Sequence, residues 1–212
     1  MSKIEGSEQV LGKAKWLKLM SCDYQVKNPK TGDTCIQKGW EYVERTTYSL
    51  NGDNAAQIIP ILKYADGKRQ LMLTSNYRPP IDKYVWEFPG GLIDEGECME
   101  IAAARELKEE TGYTMTKILK EFPQVSTFED PSVSTCSCKN YVVEVDMDHP
   151  DNANPKQELE VGEMIDIHLF DICKEKSMLQ EVMELSEKNG IAMGSIIFNL
   201  LLGLEFSQKL FE

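Results

Sequence analysis

Positive charge is what this sequence has little of. Its 212 residues carry 23 Lys and Arg against 35 Asp and Glu, a formal net charge of −12. A broad nucleic-acid-binding surface needs clustered cations, so no nucleic-acid partner is expected. Histidine is scarcer still, with only His149 and His168. The six cysteines (Cys22, Cys35, Cys98, Cys136, Cys138 and Cys173) form no C-x-x-C pair, which excludes zinc-ribbon and thioredoxin-like frameworks. Scattered thiols of this kind suit a reducing compartment, so a cytoplasmic or nuclear location is expected. Long apolar runs are also missing. The longest, from Ile191 to Leu204, is interrupted by Gly194, Ser195 and Asn199. It is shorter than the roughly 20 residues of a membrane span, and reads as a buried or partner-facing helix. The first six residues, Met1 to Gly6, lack the apolar segment of a signal peptide. The chain has the size of one domain, or one domain plus an extension, and can bury a real core. The surplus acid then has two readings. It is solubilising surface, or part of it holds a divalent cation and, through the cation, phosphates.

Turn chemistry divides what is present. Residues 1 to about 14 are polar and expected to fray. Strands are expected from Trp16 to about Val26 and from Trp40 to Tyr48, on either side of the turn Asn28-Pro29-Lys30-Thr31-Gly32-Asp33. After the turn Asn51-Gly52-Asp53, strands at 56–64 and 69–77 flank Asp66-Gly67, a second hairpin signal. A short strand is expected at 84–88. Residues 98–111 carry Ala102-Ala103-Ala104, no internal Gly or Pro, and Gly112 as a natural terminator, which predicts a helix. Strands at 139–146 and 164–170 and helices at 174–188 and 191–203 complete the reading. Hairpins dominate and no βαβ rhythm appears, so the expected class is α+β. Residues 1–50 are expected to form an N-terminal hairpin region and 51–212 the main domain.

The acid is unevenly spread. Residues 91–113 hold Asp94, Glu95, Glu97, Glu100, Glu106, Glu109 and Glu110 against Arg105 and Lys108 alone, a local charge of −5. On a helix, Glu106, Glu109 and Glu110 share one face within an arc of roughly 100°. Three like charges repel there, and two sit near the helix C-terminus, where the macrodipole disfavours anions. Mg²⁺ or Mn²⁺ relieves such a cluster, taking carboxylate oxygens and leaving coordination positions for water or phosphate. Arg105, four residues before Glu109, can orient it. A solvated Glu-rich helix face is the alternative.

The flanking residues extend the pattern. Gly91, five residues, Glu97, seven residues, Arg105-Glu106-Leu107, one residue, Glu109-Glu110, one residue and Gly112-Tyr113 together resemble the Nudix box at every defined position. The resemblance implies an α/β/α sandwich around a mixed sheet, with the box as loop, helix and loop. It also implies hydrolysis of a nucleoside diphosphate linked to another moiety. By the same resemblance, Glu106, Glu109, Glu110 and the Gly90 carbonyl hold the metal, while Glu97 supports the loop or reaches the metal through water.

Elements outside the box resemble the ADP-sugar pyrophosphatase branch, whose members act mainly on ADP-ribose. They are Tyr77-Arg78-Pro79-Pro80, the run Trp86 to Asp94 with Gly90 where many relatives have Ala, Trp40-Glu41 with Arg45-Thr46-Thr47, and the turn Asp130-Pro131-Ser132. The resemblance implies adenine stacked by Trp16 and Trp40 from different subunits of a swapped homodimer, with Glu41 accepting from its amino group. Arg45 and Arg78 suit the diphosphate or terminal ribose, since a guanidinium presents forked donors. Asp130 completes the expected substrate set. The general base lies, by the same likeness, before a late strand. Glu163 is the expected base, with Glu160 and Glu158 as competitors. Three rival functions remain: cleavage of another sugar nucleotide or dinucleotide, cleansing of oxidised nucleotides to pyrophosphate and a nucleoside monophosphate, and non-catalytic ADP-ribose binding.

Overall fold

The computed structural model describes residues 2–47, 52–172 and 177–210. The expected strand end at Tyr48, the first residue of the turn at Asn51, Cys173 and the start of the helix expected at 174 lie outside them. The strands are β1 (Ser2–Lys3), β2 (Gln9–Lys13), β3 (Leu17–Lys27), β4 (Thr34–Arg45), β5 (Ala55–Lys63), β6 (Arg69–Arg78), β7 (Lys83–Glu87), β8 (Gly90–Leu92), β9 (Lys117–Ile118), β10 (Ser126–Phe128), β11 (Ser137–Asp146), β12 (Ile165–Asp171) and β13 (Ala192–Met193). The helices are α1 (Met99–Thr111), α2 (Met178–Asn189) and α3 (Ser195–Leu210). They form two compact units: Met1–Ala55 with Leu92–Met99 and Val125–Lys139, and Ala56–Gly91 with Glu100–Gln124 and Asn140–Glu212.

In the first unit, β3 is the spine of an antiparallel sheet. β4 runs along it from Leu17↔Arg45 to Lys27↔Thr34. β1 and β2 also pair with it, at Lys3↔Tyr24 and Gln9↔Ser21. The expected fraying of residues 1 to 14 is therefore corrected. Polar side chains do not prevent backbone pairing on an edge strand, and β2 is exposed along its whole length. In this sheet Met20, Cys22 and Tyr42 form a small buried cluster. Val10, Leu11, Trp16, Leu19, Ile36 and Trp40 stay exposed. Residues 92–99 and 125–139 join this unit through Ile93 N–H to the Asn54 carbonyl (3.2 Å) and Val43 N–H to the Val133 carbonyl (2.7 Å).

The second unit is built on a mixed sheet in the order β11-β5-β6-β7-β13, with β12 on the remaining edge of β6. β6 is antiparallel to β7 and β12, and β13 is parallel to β7. β6 is buried from Gln70 to Asn76, as a central strand should be. Leu71 and Leu73 pack with Trp86, Phe88 and Phe170 against Met178 and Val182 of α2 and Ile197 and Leu201 of α3. The buried Trp86 indole donates to Ser186 Oγ at 2.7 Å, which docks α2 without leaving a polar group unpaired. Met72 and Thr74 alternate to the opposite face. α2 starts at the Ser177 N-cap, whose hydroxyl accepts from Gln180 N–H. α3 begins later than expected and runs to Leu210, because Ala192–Met193 extend along Val85–Trp86 first.

Candidate active site

The segment Pro89–Gly91 packs closely against β5 and α1. A Cβ on Gly90 (φ +157°) would lie 2.4 Å from the Ala56 carbonyl oxygen, and one on Gly91 would lie 2.4 Å from the Glu106 carboxylate. Gly90 is thus the residue this backbone accepts. Its N–H donates to Glu110 Oε2 at 2.9 Å. Arg105 Nη1 donates to both Glu106 Oε1 (2.8 Å) and Glu109 Oε2 (3.0 Å), the pairing expected from the four-residue spacing to Glu109. Among the described residues, no three His, Cys, Asp or Glu side chains are gathered closely enough to hold a metal as they stand.

The electrostatics nonetheless fit a cation. Glu106 and Glu110 are buried, at 9% and 6% exposure. Burial pushes Glu106 up to about 6, with the charges of Glu109 and Glu163 adding to it and Arg105 opposing. Burial pushes Glu110 up to about 8, with the Gly90 N–H opposing and the charges of Glu106 and Glu163 reinforcing. The ionised cluster is therefore costly in the bare chain. A hard divalent cation offsets that cost, and three carboxylates beside a backbone carbonyl are the donors it prefers. The donor set fits.

The segment 158–164 faces this cluster. Glu163 is the loop carboxylate whose charge acts on both Glu106 and Glu110. Its Oε2 accepts from Glu160 N–H at 2.8 Å, and its own N–H donates to the Glu160 carbonyl at 3.1 Å, which closes the turn around Gly162. Arg78 acts on Glu110 with the opposite sign. Its Nε and Nη2 grip Glu87 at 2.8 and 2.6 Å, so the guanidinium is held in one orientation. Glu87 was not foreseen. In the β6–β7 ladder Arg78 stands opposite Lys83 and Glu87 opposite Thr74, so the Arg78 side chain reaches back along the pair to Glu87, which no local spacing reveals.

The remaining expected residues lie in the first unit. Glu97 Oε2 accepts from Asp94 N–H at 3.2 Å and Glu97 N–H donates to the Asp94 carbonyl at 3.0 Å, so Glu97 closes the loop leading to α1. Trp40 packs edge-on against Tyr24 and donates from Nε1 to the Ser132 carbonyl at 3.2 Å. Asp130 holds that turn, accepting from Ser132 N–H and the Ser132 hydroxyl. Lys15 Nζ lies 4.3 Å from the Trp16 ring centroid. Trp16 and Arg45 are near neighbours across the ladder, since Leu17 pairs with Arg45. Trp40 pairs with Cys22, six residues farther along β3 than Trp16. At about 3.3 Å per residue the two tryptophans of one chain are roughly 20 Å apart along the strand. They cannot face each other across one base. Glu41 pairs with Ser21, beside Trp40.

Comparison with known proteins follows the same lines. The NUDIX domain matches residues 56–181. The chain is 39% identical to an ADP-ribose pyrophosphatase of Saccharomyces cerevisiae over 161 residues, which is 76% of this chain and 66% of that protein. It is 33% identical to an ADP-sugar pyrophosphatase of Mus musculus over 161 residues, or 76% of this chain and 70% of that one. A crystal structure of an ADP compounds hydrolase matches with a TM-score of 0.56 at 17% identity, over 87% of this chain and 84% of that chain. The last likeness concerns the fold alone.

Proposed function

This chain belongs to the NUDIX domain family, and on that premise we propose that it hydrolyses the diphosphate of ADP-ribose and related ADP-sugars, giving AMP and ribose 5-phosphate from ADP-ribose. It is an enzyme with a Nudix-type α/β fold that acts on a diphosphate. What supports the fuller reading is the electrostatic coupling of Glu106, Glu110 and Glu163. Two buried carboxylates and a loop carboxylate share one field, and that field is costly without a cation.

In this reading Glu106, Glu109, Glu110 and the Gly90 carbonyl hold Mg²⁺ or Mn²⁺. The ion, when bound, neutralises the diphosphate and acidifies water. Glu163 takes the proton from the attacking water, and the Glu160 N–H fixes the carboxylate that receives it. Arg105 orients Glu109 and favours the ionised form of Glu106 against its burial. Arg78, locked by Glu87, presents its charge to the phosphates. Trp16 and Trp40 stack on adenine, Glu41 accepts from its amino group, and Arg45 and Asp130 contact the remainder of the substrate.

The roughly 20 Å between the two tryptophans of one chain supports a homodimer in which each base lies between Trp16 of one copy and Trp40 of the other. The exposed apolar residues of the first unit supply a surface for it. A cytoplasmic or nuclear location goes with this reading. Incubation with ADP-ribose, ADP-sugars, GDP-sugars and dinucleotides in Mg²⁺ and Mn²⁺, with products resolved by chromatography, tests the assignment. AMP with ribose 5-phosphate supports it. Turnover of a GDP-sugar alone replaces it with the sugar-nucleotide alternative, and binding of ADP-ribose without turnover replaces it with a binding module.

A further inference from the structure

An α-helix leaves its last carbonyls without partners inside the helix. In α1 two of those carbonyls belong to Glu109 and Glu110, whose side chains form the carboxylate cluster. Neither is left to solvent. The Glu109 carbonyl accepts from Glu158 N–H at 2.7 Å. The Glu110 carbonyl accepts from Gln157 Nε2, also at 2.7 Å. The same Nε2 donates to the Ile165 carbonyl at 3.0 Å. One amide therefore ties the end of α1 to the first residue of β12. It also joins the two ends of the segment 158–164, because Gln157 precedes it and Ile165 follows it.

Three further features make this contact matter. Both partners of Nε2 are carbonyls, so only the NH₂ end of the amide suits the position, and it uses both its hydrogens there. The chain just before Gln157 lies hard against the helix end, since a Cβ on Gly112 would sit 2.3 Å from Lys156 N. The loop itself is held by little apolar burial. Val161 is fully exposed and Met164 is 56% exposed.

We propose that Gln157 is a positioning residue: by clamping the loop 158–164 to the Glu110 and Ile165 carbonyls, it sets the distance between Glu163 and the carboxylates of α1. The proposal rests on the reading of Glu163 as the base. It gives the loop a mechanical link to the helix through backbone groups, independent of any bound ion. Gln157 itself touches neither substrate nor the reacting atoms.

Gln157→Met keeps the length and removes both donors, and Gln157→Glu keeps the shape and replaces the donors with an acceptor. In metal-free protein, amide hydrogen exchange across residues 158–164 rises in both variants while α1 stays protected. With Mg²⁺ and ADP-ribose, kcat falls about 10- to 100-fold and KM stays within about twofold, as expected when a base is displaced by about an ångström. Because Gln157 acts through Glu163, Gln157→Met combined with Glu163→Gln loses no more than Glu163→Gln alone. Unchanged loop exchange in both variants overturns the proposal whatever the substrate. So does a double variant whose losses multiply, or a loss of the Mg²⁺-induced rise in Tm, since the effect would then run through α1. If wild type does not turn over ADP-ribose, the functional reading fails instead, and the exchange experiment still decides whether the clamp exists.

Discussion

Replacing Glu110 by Gln should stabilise the metal-free protein while destroying its activity. Glu110 stands at about 8 rather than its ordinary 4.5, because burial and then the charges of Glu106 and Glu163 disfavour its ionised form over the opposition of the Gly90 N–H. An acid with a raised folded pKa binds more protons in the folded state than in the unfolded state between those two values. Folding stability therefore falls as pH rises through that window, and levels off above pH 8. The full difference amounts to about 5 kcal/mol. Coupling to Glu106 and Glu163 shares it, so about 2–4 kcal/mol is expected for Glu110 itself. A glutamine oxygen can still accept from Gly90 N–H, so Glu110→Gln removes the charge and keeps that contact. Urea denaturation after chelation, at pH 5, 6, 7 and 8, measures the effect. The variant should match wild type near pH 5 and exceed it by about 2–4 kcal/mol at pH 8, or about 4–16 °C in Tm. Adding Mg²⁺ should then stabilise wild type and not the variant. A stability difference that does not change with pH, or a variant less stable than wild type at pH 8, refutes the reasoning.

Three other outcomes follow from the same structure. Glu163→Gln should lower kcat by about 10²–10⁴ with little change in KM, measured by steady-state kinetics; if Glu160→Gln does this instead, the base is misassigned. Gly112→Ala should cost about 1–3 kcal/mol by chemical denaturation, because the residue has φ +74° and its new Cβ would meet Lys156 backbone; an unchanged midpoint contradicts this. Light scattering at micromolar concentration should give twice the mass of the 24.1 kDa chain, and a monomeric mass contradicts the shared-adenine reading.

What the sequence revealed and what it hid follow from how far each interaction reaches along the chain. α1 was legible because everything that makes it is local: the alanines, the unbroken helix formers and Gly112 at its end. The β5–β6 hairpin was legible from Asp66-Gly67 between two apolar runs. β1 and β2 were not, because fully exposed edge strands carry no alternating burial and owe their pairing to the backbone of β3. The start of α3 was misplaced because the Ala192–Met193 strand depends on the free edge of β7. At the site, Arg105 with Glu109 is a four-residue relation and could be read directly. Arg78 with Glu87, and Gln157 with Glu110 and Ile165, depend on strand register and on a loop folding back, which spacing does not encode.

One reaction tests the diphosphate hydrolysis most directly. Purified protein is incubated with ADP-ribose and Mg²⁺, and the products are resolved by chromatography with and without EDTA. The expected result is equimolar AMP and ribose 5-phosphate in wild type, with none in EDTA and none from Glu110→Gln. Intact ADP-ribose after prolonged incubation with wild type and either Mg²⁺ or Mn²⁺, or undiminished turnover in Glu110→Gln, would contradict it.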